Sequence, residues 1–168
     1  MSVVDYGLKQ NESFVKNLNR DELIKAPAPK IVIVTCMDPR LTMILKALGL
    51  QQGDADVIRN AGSTIDEDSI RSILVSTRVL GSKEILVVQH TGCGMMIFKD
   101  DELESKLENL TGAYPITPEK FYSFTDVEKE VVKAIRRIKS HPWIAKEIPV
   151  RGVVYDVSTG KVTEITTR

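Results

Sequence analysis

Short runs of apolar, mostly β-branched residues alternate along this chain with stretches in which apolar residues recur every third or fourth position. Ile31-Val32-Ile33-Val34 and Ile85-Leu86-Val87-Val88 are the clearest runs. Consecutive apolar positions, without the alternation of a half-exposed strand, predict strands buried on both faces. Asp56-Val57-Ile58 predicts a shorter strand between them, and Val153-Val154-Tyr155-Asp156-Val157 a fourth. After the turn residues Ser158-Thr159-Gly160, the β-branched tail predicts an antiparallel edge strand.

Helical spacing fills the intervals. Asp38 and Pro39 suit the cap and first position of a helix. Leu41, Ile44, Leu45 and Leu48 would share its face, and Gly49 would stop it. Asp66-Glu67-Asp68 places acids where a helix dipole favours them, ahead of Ile70, Ile73, Leu74 and Leu80, with Gly81 as the stop. Leu103, Leu107 and Leu110 mark a further helix, and Pro115 and Pro118 make 111–124 a loop. Thr125 and Glu128 read as a capping box for a helix carrying Val127, Val131, Ile135 and Ile138. At the start, Phe14 and Leu18 lie one helical turn apart. Residues 1–25 therefore read as a helical arm that Ala26-Pro27-Ala28-Pro29 ends. The arm has little of its own to pack against, so residues 1–29 are expected to lie on a partner subunit.

Strands separated by helices predict an α/β fold with right-handed crossovers. The expectation is a mostly parallel four-stranded sheet with helices on both faces, an antiparallel edge strand and the N-terminal helical arm. A length of 168 residues suits one domain, 1–168, with one core. Lys plus Arg number 23 and Asp plus Glu number 23. With no basic excess to neutralise phosphates, neither nucleic acid nor an anionic membrane is an expected partner. No apolar run is long enough to span a bilayer. The N-terminus lacks the basic start and apolar stretch of a secretory signal, so a cytoplasmic location is expected.

The chain holds two cysteines, Cys36 and Cys93, and two histidines, His90 and His141. In open parallel sheets, sites form beyond the carboxyl ends of the strands. Cys36 ends the first predicted strand, His90 ends the third, and Cys93 sits in the turn beyond. If those strands are neighbours, two thiolates and an imidazole converge, filling three corners of a zinc tetrahedron and leaving the fourth for water. His-x-x-Cys alone points more weakly, because buried apolar cysteines are common. Arg40 is an odd residue for the first turn of a helix, where a cation opposes the dipole at a cost of a few tenths of a kcal/mol, roughly. Asp38, two residues away, can accept its fork of donors. The gap from Cys36 to Arg40 is too short for a phosphatase loop, and no glycine-rich phosphate loop or dinucleotide fingerprint is present. Arg59-Asn60-Ala61-Gly62 ends the second strand in a small turn with room for a small ligand, which makes Ala61 and Gly62 candidate substrate-binding residues. An ordinary strand-to-helix turn would read the same way. His141, before Pro142, reads as a surface residue, with a proton relay as the alternative reading.

Together, Cys36-Met37-Asp38-Pro39-Arg40, Arg59-Asn60-Ala61-Gly62 and His90-Thr91-Gly92-Cys93-Gly94 resemble the β-class carbonic anhydrases in order and spacing. The segment from Arg151 to Lys161 is similar to that family's closing strand and hairpin. The likeness thus covers most of the chain from Ile31 onward, and the short length resembles the compact microbial subgroup. It implies one zinc ion per subunit on Cys36, His90 and Cys93. It implies catalytic roles for Asp38 and Arg40, with Asp38 as a conditional fourth ligand that shuts the site. It also implies a homodimer, often paired into a tetramer, with sites near the subunit interface. The implied reaction is reversible hydration of carbon dioxide to bicarbonate and a proton. Gly92 stands where compact-subgroup members often carry an acid. Two further readings use the same residues: hydrolysis of carbonyl sulfide or carbon disulfide, and a non-catalytic zinc- or bicarbonate-binding relative. The presence of both Asp38 and Arg40 speaks against the last.

Overall fold

The computed structural model describes residues 2–19, 28–114 and 117–166. Strand β1 (Ile31–Cys36) runs parallel between β2 (Ala55–Asn60) and β3 (Glu84–His90). β4 (Val150–Tyr155) is parallel to β3, and β5 (Val162–Glu164) closes the sheet antiparallel to β4. The order is β2-β1-β3-β4-β5, so the expected parallel sheet with an antiparallel edge is borne out.

Both faces of the central strands are buried, as their unbroken apolar runs require. Val32, Val34, Ile85 and Val87 face helices α3 (Glu67–Val75) and α5 (Val127–Ser140) through Ile73, Val131, Ala134, Ile135 and Ile138. Ile33, Leu86, Val88 and Val153 pack on the other side with Leu41, Ile44, Met95 and Phe124. Each such aliphatic side chain contributes about 1.5–3 kcal/mol when fully buried. Gly152 lets α5 approach β4 closely. A Cβ there would land on Val131 and within 2.8 Å of the Ile135 Cδ1 atom. Gly152→Ala is therefore expected to destabilise the fold by about 1–3 kcal/mol. Melting should fall by about 2–4 °C per kcal/mol. An unchanged melting temperature would show that α5 can shift without cost.

Several local expectations need correction. The segment after β1 keeps the expected buried face, Leu41 and Ile44, but winds first as a 3₁₀ turn, Pro39–Met43. Helix α2 is only Ile44–Ala47. A three-residue spacing suits both windings, so the pattern alone does not separate them. Helix α3 ends at Val75 and continues as a wider π turn to Leu80, which is 53% exposed rather than on the apolar face. Helix α5 is capped by Asp126, whose carboxylate accepts the Lys129 N–H at 3.0 Å, and not by the Thr125–Glu128 box. An Asp beside a Thr competes well for that place. β4 starts and stops earlier than expected, because the Asp156 carboxylate collects the N–H groups of Ser158 and Thr159 into a turn. Helix α4 (Asp100–Thr111) follows its leucine spacing.

The N-terminal helix α1 spans Val3–Asn17, opened by a Ser2–Asp5 capping box and ended before Leu18. It buries no residue, and Phe14 is 59% exposed. The predicted stop at Ala26-Pro27, and Pro115, lie outside the described residues. Among the described residues, no helix is long and apolar enough to cross a membrane.

Candidate metal centre

β1 has β2 on one side and β3 on the other, so the segments leaving β1 and β3 diverge. A crevice opens beyond their carboxyl ends. Cys36 is the last residue of β1 and His90 the last of β3. The tight turn after His90 brings Cys93 back beside them. All three are buried, and their ligand atoms lie within 4.8 Å of one another. The two sulfurs are 3.9 Å apart, and both cysteines are free. A disulfide would need about 2.05 Å. Two sulfurs about 2.3 Å from one zinc ion stand about 3.8 Å apart in a tetrahedron.

The histidine fits the same reading. Its Nδ1 lies 3.0 Å from the Thr91 carbonyl oxygen. A proton on Nδ1, donated there, leaves Nε2 with a bare lone pair. Nε2 is buried and has no hydrogen-bond partner among the described residues. Buried polar atoms are seldom left unsatisfied, and a backbone carbonyl on one ring nitrogen is the usual way to aim the other at a metal. The thiols share one hydrogen bond, which favours the thiolate on Cys36. The Cys93 thiol, hydrogen-bonded to Cys36, does most to pull the Cys36 pKa below its ordinary value, against burial, with help from His90 and from the Asp38 and Gly62 backbones. The same bond pushes Cys93 upward. The Gly62 N–H points at the Cys36 sulfur from 3.4 Å.

Arg40 is explained by its partners. Its Nε donates to Asp38 Oδ1 at 2.9 Å and its Nη2 to Asp38 Oδ2 at 2.7 Å. Nη2 also donates to the Gly92 carbonyl at 2.9 Å. This fork holds the Asp38 carboxyl well below the usual carboxylate range. Asp38 Oδ2 lies 4.0 Å from His90 Nε2, yet Asp38 is not one of the three clustered donors. Arg59 fixes the backbone beneath, donating to the Cys36 carbonyl at 3.1 Å and the Asp38 carbonyl at 2.7 Å.

Ala61 and Gly62 line a cavity of about 430 Å³ together with both cysteines, Asp38, Met95 and Phe98. Gly62 has φ +74°, and a Cβ on it would come within 2.9 Å of Met95 and 3.2 Å of Phe124. Asn60 braces the turn by accepting the Thr64 N–H at 2.8 Å. His141 lies outside the cluster: it lines a different cavity, of about 900 Å³, beside α3 and Trp143. The clamp by Arg59, the walls from Met95, Phe98 and Phe124, and Gln89 were not anticipated. Gln89 is fully buried and donates to the Gly62 carbonyl. An amide closing an apolar strand beside His90 was its one sequence signal.

Residues 31–162 match the carbonic anhydrase family model. β-Carbonic anhydrase 1 of Mycobacterium tuberculosis is 40% identical over 167 residues, covering 99% of both chains. The chain belongs to the β-carbonic anhydrase family. A solved carbonic anhydrase from Streptococcus mutans shares the fold with a TM-score of 0.89 and 38% identity, covering 99% of each chain. A carbon disulfide hydrolase from an Acidianus species is 34% identical over 155 residues, covering 79% of this chain and 76% of that one. β-Carbonic anhydrases use zinc, and the donor set here, with its spacing and its unpartnered nitrogen, fits that ion.

Proposed function

We propose that this protein catalyses the reversible hydration of carbon dioxide to bicarbonate and a proton, with one zinc ion per subunit on Cys36, His90 and Cys93. The observation that carries the reading is the convergence of three buried donors, one a nitrogen without a partner, beside a carboxylate clamped by arginine. When bound, zinc supplies the Lewis acidity that lets water act as a nucleophile near neutral pH.

The side chains do the rest. Asp38, ionised at every working pH, accepts the hydrogen bond of the attacking water and so fixes the direction of its lone pair. Arg40 keeps Asp38 in that role. Were Arg40 to release it, Asp38 would be the carboxylate available as a conditional fourth ligand, which would shut the site. Ala61 and Gly62, with Met95 and Phe98, offer an apolar wall to an uncharged linear substrate.

Stopped-flow carbon dioxide hydration with a zinc assay on the same sample tests this. Turnover should accompany zinc, and its rate should climb on the alkaline side, since two thiolates cancel the ion's formal charge and weaken it as a Lewis acid. Full zinc without turnover would favour the non-catalytic reading, and a flat profile from mildly acidic to alkaline pH would count against the charge argument. A second reading is hydrolysis of carbonyl sulfide or carbon disulfide, favoured by the methionine- and phenylalanine-lined wall and by the Acidianus relative. Turnover of the three substrates on one preparation separates the readings.

We also infer a homodimer, or a tetramer of two dimers. Support comes from α1, which leaves its apolar residues exposed on its own chain. The two unbridged cysteines accord with a reducing, cytoplasmic setting.

A further inference from the structure

The Asp100 carboxylate, at the start of α4, gathers three consecutive backbone N–H groups from a distant loop. Oδ2 accepts from Phe121 at 3.1 Å and Tyr122 at 3.0 Å, and Oδ1 accepts from Ser123 at 2.8 Å. Burial opposes its charge more than any other single influence, yet the Ser123 hydroxyl and the three N–H groups together hold its pKa below the ordinary value. Tyr122 sits at φ +61°, in the left-handed region that a side chain with a Cβ seldom adopts. Such a conformation persists only where the surroundings over-determine it.

The residue after Ser123 reaches the metal centre. The Phe124 N–H donates to the Met95 carbonyl at 3.2 Å, and the Phe124 ring and Met95 side chain close against Gly62. Gly62 in turn aims its N–H at the Cys36 sulfur. A chain of contact runs from Asp100, through the 121–124 turn and Phe124, to the hydrogen bond on a candidate ligand.

We propose that Asp100 is a positioning residue for the metal centre: by binding the 121–123 backbone it seats Phe124 and Met95 against Gly62 and holds the Gly62 N–H on Cys36. This deepens the zinc reading and rests on it. A hydrogen bond to a metal-bound thiolate withdraws electron density from the sulfur, so its loss changes the ligand's electronics as well as local order.

The experiment uses the full chain loaded with cobalt(II), whose thiolate charge-transfer band reports on the sulfur donors, alongside zinc-loaded kinetics. Asp100→Asn should move that band to longer wavelength and lower kcat about tenfold with KM little changed, the lower end for groups that support ligands. Asp101→Asn, on the exposed neighbour, should change neither. Asp100→Glu, able to reach the same donors, should recover part of both. If Asp100→Asn does not fold, Phe124→Leu keeps an apolar side chain there and should shift the band in the same direction. A band and kcat unchanged in Asp100→Asn or Phe124→Leu, with only melting lowered, would reduce Asp100 to a loop staple. A wild-type protein without the band, or one that Cys36→Ser leaves unaltered, would end the zinc reading itself and this inference with it.

Discussion

Asp38→Ala is expected to leave zinc bound and to lower turnover about a hundredfold or more, the size associated with removing a positioned proton acceptor. The zinc should remain because Asp38 is outside the clustered S–N–S donors, with its carboxylate engaged by Arg40. Turnover should fall because, among the described residues, no other carboxylate lines that cavity. Loss of the ion pair itself should cost the fold little, since its arginine is half exposed and screened by solvent; loss of the Asp38 cap on the Arg40 N–H adds to that cost. The pH dependence separates the roles. The folded Asp38 pKa is depressed, with the Arg40 fork as the main cause. Its contribution to stability is therefore fully present above the unfolded carboxylate value of about 3.9, and is lost only as pH falls through the lower folded value. Any rate change between mildly acidic and alkaline pH thus belongs to another group. Stopped-flow kinetics with a metal assay on the variant measures both halves. Undiminished turnover would remove Asp38 from the mechanism.

The fold and the donor set were legible for the same reason. Ile31–Val34 and Ile85–Val88 are short, largely β-branched runs typical of doubly buried strands, and the chemistry-bearing residues stand two positions beyond them. Once β1 and β3 are neighbours, Cys36 and His90 have to meet. That adjacency is not written in either run, because strand pairing is set by contacts between distant segments. The supporting residues were illegible for a related reason. Arg59 reaches the Cys36 and Asp38 carbonyls only because the β1–β2 register pairs it with Thr35. Phe124 reaches Gly62 from a loop with no periodicity, held by an aspartate that its sequence position marks merely as a favourable acid at a helix start. The 3₁₀ winding after Asp38 was hidden because both helix types place Leu41 and Ile44 together.

Cys36→Ser should strip the centre of its metal and weaken the whole fold. An ion held by Cys36, His90 and Cys93 would tie the end of β1 to the end of β3 and the turn beyond, so its binding free energy would stabilise the folded state alone. At a free zinc concentration a hundred times the dissociation constant, that linkage is worth about 2.7 kcal/mol. At about 2–4 °C per kcal/mol for a domain of this size, the melting temperature should fall by about 5–10 °C. A serine hydroxyl is a poor replacement, because the site offers Cys36 the Gly62 N–H and the Cys93 thiol, both of which favour an anion. Retained zinc should drop roughly tenfold or more after dialysis against a chelator. The control is the chelator's own effect. It should lower the melting temperature of the wild-type protein toward that of the variant and leave the variant unmoved, because only one of the two has an ion to lose. A variant that keeps stoichiometric zinc, or a wild-type protein whose melting ignores the chelator, would show that the three buried donors pack the sheet edge without holding a metal.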